Sequence, residues 1–289
     1  MHIGSCRRGR ARHYKYHRWV IHVLNLGALP YPDYLALARA LVDARATGEI
    51  PDLLCFATHP PVITLGLASQ PDEILQAGQI EIVQIERGGH TTYHGPDQQM
   101  LYPVVQLELG DLHGFVRRLQ EVVALGCAAL GATAFRRDGY PGVWTDKGKL
   151  ASIGLALKKR VTLHGMALNC DQPASGGFDA IIPCGLSEIT MTSLADETGY
   201  LCSRFAVRSA LCAAWEAVYG ERVVMADAEL FPPALRPLLP SLTESTTETT
   251  DHPAEAVEWE LDEEGEPLFR FTEGLPASAY LSAGGESDG

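Results

Sequence analysis

Four short segments gather the residue types that can do chemistry. The first is Arg87-Gly88-Gly89-His90-Thr91-Thr92-Tyr93-His94-Gly95-Pro96. Paired glycines let a backbone come close to a ligand and free amides to point at it. An arginine, two histidines and several hydroxyls stand in the same stretch. A β-turn rich in Gly and Pro, with His94 hydrogen-bonded in the core, accounts for the string equally well. The second segment, Gly142 to Gly154, carries Lys147 and Lys149 on or beside a turn. One alternating step inward brings Lys149 to a site, although a solvated turn lysine is the commoner case. The third, His164-Gly165-Met166-Ala167-Leu168-Asn169, reads by itself as an apolar strand with a close-packed glycine. The fourth, Ile182-Pro183-Cys184-Gly185-Leu186, sets a cysteine between Pro and Gly. A thiol on such a turn can meet a substrate while its backbone is held, and thiolates are nucleophiles.

Seven cysteines occur, with no C-x-x-C pair. An odd number at this spacing fits neither a disulfide framework nor a zinc ribbon, so free thiols in a reducing, cytoplasmic compartment are expected. Most should be inert core residues. Of the 289 residues, 46% are hydrophobic and 20% charged, an ordinary globular balance. No apolar run approaches the roughly 20 residues that cross a bilayer. The net charge of −13 argues against nucleic-acid binding. The charge is uneven: Arg7 to Arg18 is basic, and Glu244 to Asp288 is strongly acidic. The basic start lacks the apolar stretch of a secretory signal and reads as an unstructured extension.

The elements that must position these residues are legible. Strands are expected at Trp19–Leu26, Leu53–Thr58, Val62–Leu65, Ile80–Glu86, Gln99–Leu107 and Val161–Asn169. A hairpin is expected from Val143–Trp144 to Leu150–Leu157. Helical periodicity covers Asp33–Arg45, Gly114–Leu130 and Arg204–Tyr219, the last ended by Gly220. Thr192 or Ser193 offers the cap of a short helix. Grouped strands with helices between them predict an α+β fold, a mixed β-sheet with flanking helices. The predicted organisation is an extension over 1–17, a catalytic domain over 18–222, and a Pro-rich linker with an acidic tail over 223–289. The alternation at Val257–Leu261 and Leu268–Phe271 admits a hairpin, but the tail's composition favours no structure.

Taken together and in order, the four segments resemble the lipoyl(octanoyl) transferase family. Its pattern is similar to R-G-G-x-x-T-Y-H-G-P-G-Q, then G-V-W…K-[IV]-A-[SA]-I-G, then H-G-x-A-L-N, then I-x-P-C-G. The resemblance is specific over residues 87 to 185 and weaker over about 19 to 220. It implies a fold like that of biotin– and lipoate–protein ligases. It also implies transfer of an octanoyl group from octanoyl-acyl carrier protein to a lysine of lipoyl-dependent proteins, the first step of endogenous protein lipoylation. The implied acceptors are lipoyl domains of 2-oxoacid dehydrogenases and the glycine-cleavage H protein. The resemblance makes Cys184 the nucleophile, acylated as a thioester, and Lys149 its partner, with Lys147 fitting the spacing less well. It assigns the acyl pocket to Arg87, Gly88, Gly89, His90, Thr91, Thr92, Tyr93, His94, Ser152, Ile153, Gly154, Gly165, Met166 and Ala167. No cofactor, no metal, no membrane and a monomer are expected. A basic surface at Lys158, Lys159 and Arg160 is expected to meet the acidic donor.

One departure stands in the first motif, where Asp97 replaces a family glycine. If the position needs a positive φ, Asp tolerates it better than most residues. Two competing readings follow from the same residues. One is an ATP-dependent lipoate or biotin ligase of the same fold, which needs no cysteine at 184 and for which no Arg- or Gly-rich adenylate loop is found. The other is a catalytically silent protein that binds lipoyl domains or acyl carrier protein, for which Asp97 is the only support.

Overall fold

From Leu53 to Ala57, and from Val161 to Asn169, every residue is buried, with no polar-out alternation. Strands of that kind need cover on both faces, and the fold supplies it. The computed structural model describes residues 19–107, 111–171, 177–183 and 189–239, and the backbone of 257–261 and 267–271. Cys184 and the basic stretch before Trp19 lie outside the described residues.

In chain order the elements are β1 (Val20–Ala28), α1 (Tyr31–Thr47), β2 (Leu53–Thr58), β3 (Val62–Leu65), β4 (Glu81–Gln84), β5 (Thr92–His94), β6 (Gln98–Val104) and α2 (Leu112–Ala129). There follow β7 (Phe135–Arg137), β8 (Tyr140–Trp144), β9 (Lys149–Lys158), β10 (Val161–Asn169), α3 (Leu194–Thr198), α4 (Arg204–Tyr219) and β11 (Arg222–Met225). The main sheet has the order β11-β1-β2-β6-β10-β9-β8-β7. It is parallel from β11 to β2 and antiparallel from β2 to β7. A smaller sheet, β4-β3-β5, stands beside it.

Alternate residues of the central strands feed two cores. Leu54, Phe56, Leu101 and Met166 pack with Phe115, Leu119 and Val122 of α2 and Leu211 and Trp215 of α4. Leu53, Cys55, Tyr102 and Leu163 pack with Tyr34, Leu41 and Val42 of α1 on the other face. The helix ends obey local chemistry. Asp111 accepts from the Gly114 amide, Ser203 from Ala206 and Ser193 from Asp196. Gly48 and Gly220 close α1 and α4 in the left-handed conformation.

The expected α+β class and the three long helices are observed. Three short strands, β5, β7 and β11, were not expected. The change of composition near residue 223 does not mark an edge. β11 pairs with Val20–Val23 of β1, and Phe231 and Leu235 are buried in the α1 core. One aromatic anchor outweighs the prolines around it. The tail's alternation prevails over its acidic composition, because β12 (Val257–Leu261) and β13 (Pro267–Phe271) form an antiparallel pair. No described helix is long and apolar enough to cross a membrane.

Trp215 is fully buried, stacks on Tyr219 at 4.1 Å and meets the edge of Phe115 at 6.2 Å. Trp215→Ala should cost about 3–5 kcal/mol, read as a lowered urea midpoint with unchanged slope. An unchanged midpoint would contradict this packing.

Candidate active site

Three of the four segments converge on one cavity of about 310 Å³. The loop before β5, and β5 itself, contribute Arg87, Gly88, Gly89, His90, Thr92 and His94. β9 contributes Lys149, Ser152, Ile153 and Gly154, and β10 contributes Gly165, Met166 and Ala167. Glycine occupies the points of closest backbone approach. A Cβ on Gly165 would stand 2.1 Å from the Leu101 carbonyl oxygen, and one on Gly154 would stand 2.8 Å from Arg87 Cδ.

Lys149 is 3% exposed although Asp146 and Lys147 of the same turn are exposed. The turn closes between Thr145 and Gly148, so Lys149 opens β9 with its side chain directed inward. Its backbone is clamped on both sides: its amide donates to Thr190 O at 2.8 Å, and Thr192 N donates to its carbonyl at 3.1 Å. Its Nζ lies 5.4 Å from the centre of the Trp144 ring, within cation–π range. Gly142 leaves the space this requires, since a Cβ there would meet Lys149 Cε at 2.7 Å. Lys147 is instead exposed and faces Glu197 at 3.8 Å.

The other lining groups are fixed by a hydrogen-bonded chain. Arg87 donates through Nη2 to Thr64 O at 3.0 Å and through Nη1 to Gly88 O at 3.0 Å. His94 Nδ1 donates to Gln98 Oε1 at 3.2 Å, and Gln98 Nε2 donates to Asn169 Oδ1 at 2.9 Å. Asn169 Nδ2 donates to Thr192 O at 2.8 Å. Gln98 and Asn169 thus connect the first and third segments to the stretch 190–192 that bonds the Lys149 backbone. Arg87 and Lys149 are the cations on the wall, and among the described lining residues there is no carboxylate. Met100, Ile153, Met166, Trp144 and Ile189 make much of the remainder apolar. Such a site accepts an apolar chain and stabilises negative charge at its polar end.

One side of the cavity is formed by a buried cluster of aromatic and imidazole rings. Tyr34 and Tyr102 stack at 3.9 Å, and Tyr31 and His94 at 5.9 Å. His59 Nδ1 donates to Leu29 O at 2.7 Å, which leaves Nε2 to accept from the Tyr102 hydroxyl at 2.8 Å. The Tyr31 hydroxyl lies 3.4 Å from His164 Nδ1. His164 holds φ 65° inside a strand, a conformation that costs a non-glycine residue energy and needs a surrounding structure to impose it. Burial lowers the pKa of His59 to about 4, of His94 to about 3 and of His164 to about 4. All three are therefore neutral near pH 7.

Thr91 and Tyr93 were expected in the pocket and do not line it. β5 alternates, so Thr92 and His94 face the cavity while Thr91 and Tyr93 face away. Both serve the segment that leads to residue 184. Glu73 accepts from Thr91 N at 2.9 Å and lies 2.6 Å from His90 Nδ1, while its backbone carbonyl takes the Ile182 amide at 2.7 Å. Burial alone would raise the Glu73 pKa, but hydrogen bonds from Thr91 and His90 outweigh it and hold the carboxyl below its ordinary value. Tyr93 packs on Phe178 with ring centres 5.5 Å apart.

Asp97 is not among the residues that hold positive φ, nor among those lining the cavity. Its carbonyl accepts from the amides of Cys170 and Asp171. The described cysteines, Cys55, Cys127, Cys170, Cys202 and Cys212, are free thiols. Burial raises every one, with Cys55, Cys170 and Cys212 pushed up to about 12 and Cys202 to about 11. They stay protonated and inert. Sequence reasoning did not find Tyr31, Met100, Tyr102 and Tyr140, which also line the cavity. Tyr31 comes from α1 and the next two from β6, outside every motif.

Residues 30–216 match a family model described as the lipoyl protein ligase A/B catalytic domain. The chain is 45% identical over 179 residues to an octanoyltransferase of Syntrophotalea carbinolica, covering 61% of this chain and 84% of that one. It is 36% identical over 211 residues to an octanoyltransferase of Geotalea uraniireducens, covering 72% and 98% respectively. Among solved structures, a lipoate-protein ligase A bound with ATP superposes with a TM-score of 0.60 at 16% identity, over 75% of this chain and 91% of that one. A putative lipoate protein ligase of T. acidophilum with bound lipoic acid gives 0.56 at 17% identity, over 75% and 92%. At that identity the likeness is one of fold.

The three neutral imidazoles make a linkage prediction. Each has a folded pKa below the unfolded value of about 6.5, so the unfolded chain binds more protons as pH falls. Their contribution is intact above about pH 6.5 and is lost as pH drops toward the folded values near 4 and 3. The urea midpoint should therefore fall between pH 7 and pH 5, and His94→Gln should flatten the dependence. Equal midpoints at the two pH values would contradict buried neutral imidazoles.

Proposed function

The chain belongs to the lipoyl protein ligase A/B catalytic-domain family, and on that premise we propose that it is an octanoyltransferase of protein lipoylation. In this reading it takes an octanoyl group from octanoyl-acyl carrier protein and passes it to a lysine of a lipoyl-dependent protein. The nucleophile is Cys184 and its partner is Lys149. The observation that carries the reading is the buried Lys149 on a cavity wall that is part polar and part apolar and whose described lining holds no carboxylate.

The described chain on both sides of Cys184 supports the pairing. Before it, Ile182 is tied to Glu73. After it, Ile189 lines the cavity and Thr190 bonds the Lys149 amide. The raised pKa values of the five described thiols leave them unsuited to nucleophilic attack.

The chemistry closes in two halves. The Cys184 thiolate attacks the donor thioester carbonyl. The carrier thiolate leaves and takes a proton from the Lys149 ammonium. Thioester is exchanged for thioester, so no ATP is consumed. In the second half the acceptor lysine, as a free amine, attacks the acyl-Cys184 carbonyl. Its proton passes to the Lys149 amine, the thiolate of Cys184 leaves, and an amide is formed. The ion pair of the start is restored. Arg87 and Lys149 supply the positive field for the oxyanion of each tetrahedral intermediate. The apolar wall of Met100, Ile153 and Met166 holds the acyl chain.

The curated relatives at 36–45% identity are octanoyltransferases, while the ligase structures share the fold at 16–17%. That contrast favours transfer over ATP-dependent ligation. Incubation with octanoyl-acyl carrier protein, without ATP, should give one octanoyl adduct by intact mass. Cys184→Ala should abolish it, and Lys149→Ala should slow its formation by about 10²-fold or more. An adduct that persists in Cys184→Ala, or ATP–pyrophosphate exchange by the wild type, would contradict the reading.

A further inference from the structure

A second hollow of about 630 Å³ opens beside the cavity. The two share Gly88, Gly89, Gly139, Tyr140, Pro141, Ile153 and Gly154, so they form one continuous depression. Leu112, Val116 and Leu155 make part of the groove apolar, and Arg117, Arg136 and Arg137 are set around it. Asp138 is the carboxylate in the same wall. The three arginines are exposed. None forms an ion pair with a described carboxylate. On a chain of net charge −13, a groove with three cations and one anion is a local reversal of sign. Arg137 also links the groove to the site. Its guanidinium lies 4.8 Å from the Tyr140 ring and 5.3 Å from the Trp144 ring, and Trp144 faces Lys149 Nζ at 5.4 Å.

We infer that this groove docks an acidic carrier protein and takes the phosphate at the root of its acyl-bearing arm. Guanidinium groups match phosphate in geometry and charge, and an apolar floor suits an arm threaded toward the cavity. The choice of partner rests on the octanoyl-transfer reading. The acceptor is a poorer fit, because a lysine side chain brings a short cationic arm without a phosphate. The turn expected to meet the donor, Lys158 to Arg160, is poorly placed. It lies at the far end of β9 from Lys149, nine residue steps or roughly 30 Å away. Lys159 is paired there with Asp43 at 3.1 Å, and Arg160 Nε donates to Leu107 O.

The test is a fluorescence titration of the full chain with holo-acyl carrier protein, which carries the phosphate-linked arm but no acyl group. At low salt, Arg136→Glu and Arg117→Glu, on different elements, should each weaken binding about fivefold to tenfold. The loss should shrink near 0.5 M salt. Arg136→Lys should keep most of the affinity, Lys159→Glu should change nothing, and apo-carrier protein without the arm should bind more weakly. Unchanged affinity in both glutamate variants overturns the assignment, as does equal weakening by Lys159→Glu. Weakened binding of an apo-lipoyl domain instead of the carrier also overturns it. Arginine-dependent carrier binding without octanoyl transfer would count against the transfer reading and leave the groove standing. Transfer with arginine-insensitive carrier binding would do the reverse.

Discussion

A lysine amine buried against a tryptophan face, on the wall of a cavity with no described carboxylate, is the constraint on which this fold's chemistry depends. Burying a charge is costly unless its surroundings compensate. Lys149 is held to its place by both backbone groups and by the face of Trp144. The glycine at 142 leaves room for its stem, and Asn169 bonds the segment that clamps it. Much of the surrounding sequence is explained by that demand. The two sheets, the helices on both faces and the close-packed glycines of β9 and β10 bring a strand end and two loops to one point. The electrostatic result is a wall with two cations and no described carboxylate, lined behind by imidazoles that burial keeps neutral.

Neutral imidazoles matter as much as the cations. A protonated His94 or His164 would add positive charge to the wall at the cost of desolvating it, and in His94 it would take from Nε2 its acceptor role toward the Thr64 hydroxyl at 3.5 Å. With Nδ1 of His94 committed to donation, the dipoles of that chain point one way, toward the backbone beside Lys149. Preorganised dipoles need no rearrangement when charge develops on a reacting carbonyl. The positive φ of His164 fits the same picture, since it is maintained inside a regular strand where only packing can impose it.

Much of this was legible in the sequence, and the misses have physical causes. Gly89, Gly154 and Gly165 were readable because each marks a backbone approach that a Cβ would crowd or a positive φ that glycine holds without strain. Helices over 112–129 and 204–219 were readable because apolar period and capping residues agree. Thr91 and Tyr93 fall outside the cavity lining because alternation along the chain turns Thr92 and His94 to it instead, a parity that the motif itself does not display. Tyr31 and Tyr102 carry no local signal, since they reach the cavity from α1 and β6 through tertiary packing alone. The composition change after residue 223 misled because one buried phenylalanine and a short parallel strand weigh more than four prolines. The basic turn at Lys158–Arg160 is conspicuous in sequence, but the length of β9 carries it away from the amine.

The most direct measurement is the ionisation of the Cys184 thiol, followed as the rate of iodoacetamide alkylation at that peptide across pH. Reading the label at that peptide separates Cys184 from the other thiols, and burial holds the five described cysteines in the thiol form. If the amine at position 149 stabilises the thiolate, the wild-type profile should rise with a midpoint below the usual value of about 8.5, and Lys149→Met should move it upward by about one unit or more. Superimposable profiles for the two proteins would show that the sulfur does not sense the amine, and would contradict the account.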